Sequence, residues 1–77
     1  MRYPTFKQLR AIAEVAHSGT ITAAAQTLNL SPSAISITLK QVEEEIGVPI
    51  FEKGEGGFRL TSAGHELVLA EGRIDHR

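Results

Sequence analysis

Ser31-Pro32-Ser33-Ala34-Ile35-Ser36-Ile37-Thr38-Leu39-Lys40-Gln41-Val42-Glu43-Glu44-Glu45-Ile46-Gly47 is punctuated as one helix. Ser31 can accept a backbone N–H as N-cap, Pro32 falls where a missing donor costs nothing, and Gly47 suits the left-handed residue that closes a helix. Ile35, Leu39, Val42 and Ile46 recur at i, i+4, i+7 and i+11, which makes one apolar stripe that must face a core. The opposite side carries Ser33, Ser36, Ile37, Lys40 and Glu44. Near the capped end that outer face is slim: two small hydroxyls, one apolar residue and one lysine. A narrow helix face able to form hydrogen bonds can enter a groove.

Upstream, Thr5-Phe6-Lys7-Gln8 reads as a capping box, with Thr5 as N-cap and Gln8 reaching back. Phe6, Leu9, Ile12, Ala13 and Ala16 follow as a helical stripe ended by Ser18-Gly19, so a first helix is expected over 5–17. Thr20 or Thr22 opens a short second helix through Ala23-Ala24-Ala25-Gln26-Thr27-Leu28. Its three alanines are strong helix formers and thin enough for another helix to come close. Asn29 suits the left-handed end of that helix, and Leu30 is expected to turn inward before Ser31. The link to the next helix is then about three residues long, the length of a helix-turn-helix corner.

Downstream, Val48-Pro49 forbids further helix. Ile50-Phe51-Glu52-Lys53 and Phe58-Arg59-Leu60-Thr61 are strand-like runs on either side of Gly54-Glu55-Gly56-Gly57, a hairpin tip. A lone hairpin is marginal, so it must lean on the helices through Phe51, Phe58 or Leu60. Thr61 or Ser62 then caps a last helix from 63, with Leu67, Val68, Ala70 and Ile74 as its apolar residues and Gly72 weakening its end. The expected fold is mainly α: a winged helix-turn-helix of three helices, a two-stranded β-hairpin wing and a C-terminal helix.

Seventy-seven residues make one small domain, which buries roughly 60% of the surface of its unfolded chain and has no room for an enclosed cleft. No apolar run approaches the roughly 18 residues of a membrane span, and Met1-Arg2-Tyr3-Pro4 lacks a signal-peptide core. Cysteine is absent, which excludes disulfides and fits a cytoplasmic setting. His65 and His76 stand about 16 Å apart on a helix, too far to share an ion. No phosphate-cradling glycine loop or carboxylate pair in a cleft is present either. The chain is therefore read as no enzyme, with no metal site and no cofactor in this domain. A formal net charge of −1 is unusual for a nucleic-acid binder, so placement of charge must do what its total does not.

Ala24-Ala25 with Leu28, Leu30-Ser31-Pro32-Ser33-Ala34-Ile35-Ser36, Val42-Glu43-Glu44-Glu45-Ile46-Gly47, Pro49-Ile50-Phe51-Glu52-Lys53 and Leu60-Thr61-Ser62-Ala63-Gly64 follow one another without gaps. Over residues 5–70 this pattern resembles the N-terminal DNA-binding domain of LysR-type transcriptional regulators from bacteria. The resemblance implies a DNA-binding domain at 1–61 with a recognition helix at 31–46 and a wing at 50–61. It also implies a linker helix beginning at 62–77 that pairs two subunits. A large C-terminal domain sensing a small-molecule inducer would lie beyond Arg77, and the chain would be a fragment. Two positions depart from the family pattern. Ile37 stands where a basic residue is frequent, and Lys53 stands where arginine is common, keeping the charge without the planar fork.

On this reading the candidate DNA contacts are Thr22, Ser31, Pro32, Ser33, Ser36, Ile37, Thr38, Lys40 and Lys53. Ser33 and Ser36 can donate to phosphates or base edges, whereas on an ordinary helix they would be solvated surface. Ser31 is first a cap. Pro32 either touches a thymine methyl or only stiffens that cap. Ile37 has no structural purpose on the outer face, and a thymine methyl would explain it, although one exposed apolar residue needs no explanation. Lys40 neutralises a phosphate or pairs along the helix with Glu43 or Glu44. The N-termini at Thr22 and Ser31 offer free N–H groups to phosphate, with Arg2, Lys7, Arg10, Lys53 and Arg59 as further positive charge. Leu67, Ala70 and Ile74 form a seam for a homodimer, the alternative being that they pack back on the first helix. Two other functions fit the pattern: a winged-helix protein-association module without DNA binding, and the DNA-binding domain of a molybdate-responsive regulator.

Overall fold

Capping chemistry decides where each helix begins. The structure, a computed structural model, describes residues 4–75, with side chains as far as residue 69. Helix α1 (Phe6–Ser18) starts at the expected capping box: the Thr5 N–H donates to Gln8 Oε1 (2.9 Å) and the Gln8 N–H to Thr5 Oγ1 (3.2 Å). Helix α2 (Ile21–Leu28) is capped by Thr20, whose hydroxyl accepts from the Ala23 N–H at 3.1 Å, so Thr22 lies inside the helix. Helix α3 (Pro32–Ile46) begins at Ser31, whose Oγ accepts from the Ala34 N–H at 3.1 Å, and stops at Gly47 with φ +83°.

Strands β1 (Phe51–Gly54) and β2 (Gly57–Leu60) pair antiparallel, with Phe51 opposite Leu60 and Gly54 opposite Gly57. Helix α4 (Ser62–Asp75) is opened by Thr61, whose Oγ1 accepts from the Gly64 N–H at 3.2 Å. This is the expected order of a winged helix-turn-helix.

The core gathers Leu9, Ala11, Ile12 and Val15 of α1, Ala24 and Ala25 of α2, Ile35, Leu39 and Val42 of α3, Ile50, and Leu67 of α4. Two expectations fail at its edge. Phe6 is 48% exposed, because Leu9, Ile12 and Val15 centre the buried stripe and the first turn of α1 runs past it. Leu30 is 51% exposed and does not turn inward. Asn29, at φ +61°, ends α2 in a Schellman arrangement, with the Leu30 N–H bonded to the Ala25 carbonyl at 2.8 Å. The backbone of Leu30 ties down the corner while its side chain stays outside.

A third correction concerns α4. Leu67 is buried against the core that α1 organises, so it is unavailable as part of a dimer seam. The last helix has core to reach because the hairpin delivers it back to α1. Ala70 and Ile74, the other residues assigned to the seam, lie outside the described side chains, as Arg2 does.

Three anchors fix the hairpin. The Phe58 N–H donates to the Gly19 carbonyl at 3.1 Å, pinning β2 to the corner between α1 and α2. Gly57 approaches that corner so closely that a Cβ there would lie 2.3 Å from the Gly19 oxygen. At the base, the Thr61 N–H donates to the Ile50 carbonyl (2.9 Å) and the Thr61 hydroxyl to that of Pro49 (2.7 Å). From α3, Glu43 Oε2 accepts from the Ile50 N–H at 2.8 Å. The hairpin is thus a braced part of the domain, with Phe51 and Phe58 edge-to-face at 5.9 Å.

Candidate nucleic-acid interface

Burying Ile35, Leu39 and Val42 forces the other side of α3 outward. Ser33, Ser36, Ile37 and Lys40 are all exposed there, Ile37 at 58%. The Ser31 cap and Pro32 sit exposed at the leading end. Pro32 has no N–H and that of Ala34 is bonded to Ser31 Oγ, so the Ser33 N–H, with the oriented peptide dipoles behind it, is what this end offers an anion. Thr22 is exposed on α2 but does not cap it.

Beside this face runs an open groove of about 420 Å³ between α3 and the hairpin, lined by Ile21, Ser36, Ile37, Lys40, Phe51 and Phe58 among others. Alternation along β1 puts exposed Lys53 on the hairpin face of Phe51, opposite Phe58, whereas Arg59 shares the other face with Glu52 directly across the ladder. Lys40 thus stands on the α3 face itself and Lys53 on the hairpin face that carries Phe51, while Arg59 has an acid for a neighbour.

Thr38 does not belong to this constellation. It is half-buried and walls a second groove, of about 480 Å³, on the opposite flank of α3, with Phe6, Lys7, Arg10, Leu28 and Leu30. In sequence Thr38 groups with Lys40 as a nearby contact, whereas the structure sets it against residues of α1. Sequence reasoning missed Glu43 as well, weighing it as a partner for Lys40 along the helix. The signal was Pro49, after which the N–H of Ile50 needs an acceptor.

With this geometry in view, the family model described as bacterial regulatory helix-turn-helix protein, lysR family, matches residues 6–65. The chain belongs to the LysR family. This LysR-type chain is 49% identical over 70 residues to the HTH-type transcriptional regulator CbbR of Xanthobacter flavus, covering 91% of this chain and 21% of that protein. With PunR of Escherichia coli (strain K12), another HTH-type transcriptional regulator, it shares 45% over 65 residues, 84% of this chain and 21% of the other. Among solved structures it resembles the crystal structure of a CbnR_DBD–DNA complex, with a TM-score of 0.82 and 34% identity over 91% of this chain and 80% of that one. The LysR-type chain spans about a fifth of the length of the curated relatives it matches.

Proposed function

We propose that this chain is the operator-binding part of a LysR-type bacterial transcriptional regulator, with residues 1–61 as the DNA-binding domain and α4 as the start of a linker helix that pairs two copies. The observation that carries the reading is the outward face of α3, which holds Ser33, Ser36, Ile37 and Lys40 exposed beside a braced hairpin. The likeness to the CbnR_DBD–DNA complex supports it. In this reading α3 lies in the major groove, Ser31 approaches a phosphate from the end of that helix and Thr22 from the exposed side of α2, and Lys53 meets the backbone from the hairpin.

Dimerisation in this reading uses Leu69, which is 64% exposed on α4, in place of the buried Leu67. Half-sites then lie about one helical turn apart or a multiple of it. One domain offers few phosphate contacts, so its salt dependence should be shallow and its specificity should rest on the pair. The reading assigns no catalysis and no cofactor to this part of the protein, and any inducer would act through sequence beyond it. The groove flanked by exposed Phe6 and Leu30 favours a second role, association with another protein, on a side of α3 that leaves the reading face free.

The test is a fluorescence-anisotropy titration of the 77-residue chain against random duplex DNA at low and moderate salt, with sedimentation of the free protein. Binding that weakens with salt, from a chain that self-associates, is expected. A stable dimer with no binding at low salt would refute it and favour the association role.

A further inference from the structure

Between Ser33 and Lys40, the outward face of α3 offers two hydroxyls, one ammonium group and one branched hydrocarbon. No arginine, asparagine or glutamine stands there to grip a guanine or adenine edge at two points. Gln41, one turn beyond Ile37 and about 40° from it around the helix, is exposed as well, but its amide falls farther from the leading end of α3 than Ile37 does. Serine hydroxyls donate and accept, so they discriminate little, and Lys40 serves a phosphate as readily as a base. Ile37 is different in kind. It is 58% exposed at the centre of the face and borders the groove whose far wall is Phe51 and Phe58. The one apolar group that base pairs present in the major groove is the 5-methyl of thymine.

We propose, resting on the DNA-binding reading, that Ile37 is a specificity residue of this domain and reads a 5-methyl group on a pyrimidine. The selected half-site then carries a thymine facing Ile37, and 5-methylcytosine at that position partly replaces it. The methyl drops against the Ile37 side chain and takes apolar surface of both out of water. A cytosine there brings a bare C5–H and leaves the same surface wet.

The experiment enriches sites from a random duplex library with the 77-residue chain, then replaces each thymine of the winning site by deoxyuridine, which lacks only the methyl. At one thymine per half-site the substitution should weaken binding roughly fourfold, the effect of one buried methyl-sized group. Ile37→Ser should bind the thymine and deoxyuridine sites equally, and its melting midpoint should match the parent because the position is exposed. With cytosine at that position, methylation at C5 should regain a similar factor. Deoxyuridine tolerated at every position by the parent protein overturns the proposal, and so does a deoxyuridine effect that persists in Ile37→Ser. No enrichment and no binding at low salt would overturn the DNA-binding reading itself and the inference with it.

Discussion

Adding one methyl group at Gly64 should damage this domain although it improves the helix that carries it. In an exposed helix, alanine in place of glycine stabilises by about 1 kcal/mol. Gly64, however, is buried in the first turn of α4. A Cβ there would lie 2.5 Å from the Ile50 carbonyl oxygen and 2.7 Å from Leu60 Cδ2. The oxygen cannot yield cheaply, because Ile50 is fully buried and its carbonyl is bonded to the Thr61 N–H at 2.9 Å. Relief requires α4 to shift bodily, and that shift strains the Thr61 cap and lifts Leu67 from the core. Overpacking of this kind costs about 1–3 kcal/mol and occasionally more. Contacts this short put the cost near the top of that range, about 3 kcal/mol, so after the gain in propensity we expect Gly64→Ala to lose about 2 kcal/mol, which lowers the melting midpoint of so small a domain by about 8–16 °C. Gly47→Ala is the control: nothing lies within 4 Å of its Cβ, so only the strain of φ +83° remains, about 1 kcal/mol. Calorimetry or urea titration reads both. A Gly64→Ala protein that melts at or above the parent would refute the close packing of α4 on the hairpin base.

Glu43→Ala should cost about 1–3 kcal/mol by leaving the buried Ile50 N–H unpaired, whereas Glu43→Gln keeps an acceptor and should stay near the parent; equal losses in urea titrations would contradict the role of that bond. Ser36→Glu should keep its melting midpoint and lose duplex binding in anisotropy, because the position is exposed and a carboxylate there repels phosphate; an unfolded variant would mean that the outward face is misassigned. Leu67→Ala should lose about 2–5 kcal/mol as a core truncation, while Leu69→Asp should leave intrinsic stability within about 0.5 kcal/mol and shift sedimentation toward monomer. The reverse pattern would return Leu67 to the dimer seam.

Local chemistry explains which parts of the fold were readable in the sequence. Thr5, Asn29, Ser31 and Gly47 act through their own backbone neighbours, so the sequence already shows them at the helix ends where the structure has them. Between Thr20 and Thr22 the local signal is degenerate, and only the turn set by Gly19 decides for Thr20. Phe6, Leu30 and Leu67 required knowing which elements meet. Periodicity gives a helix its apolar side but not the width of the partner that covers it, so the stripe was extended one residue too far at Phe6. It also gave no sign that the hairpin returns α4 to α1, which is what buries Leu67. The bond from Ile50 to Glu43 spans seven residues and a proline, beyond any helical or strand period.

The motifs that carry the family likeness divide by what they touch. Ser31 and Gly47 cap α3, Glu43 holds Ile50, and Thr61 and Gly64 lock α4 against the hairpin base, so these residues build the domain. Among the described side chains of α3, Ser33, Ser36, Ile37 and Lys40 face outward and brace nothing. Changing them therefore costs the fold little, and they can differ between domains that share every cap and close contact. Ile37, where a basic residue is frequent in such domains, falls in this free set. On the proposed reading the likeness points to where a duplex would be met, and the outward residues of this chain, Ile37 among them, would set what is read there.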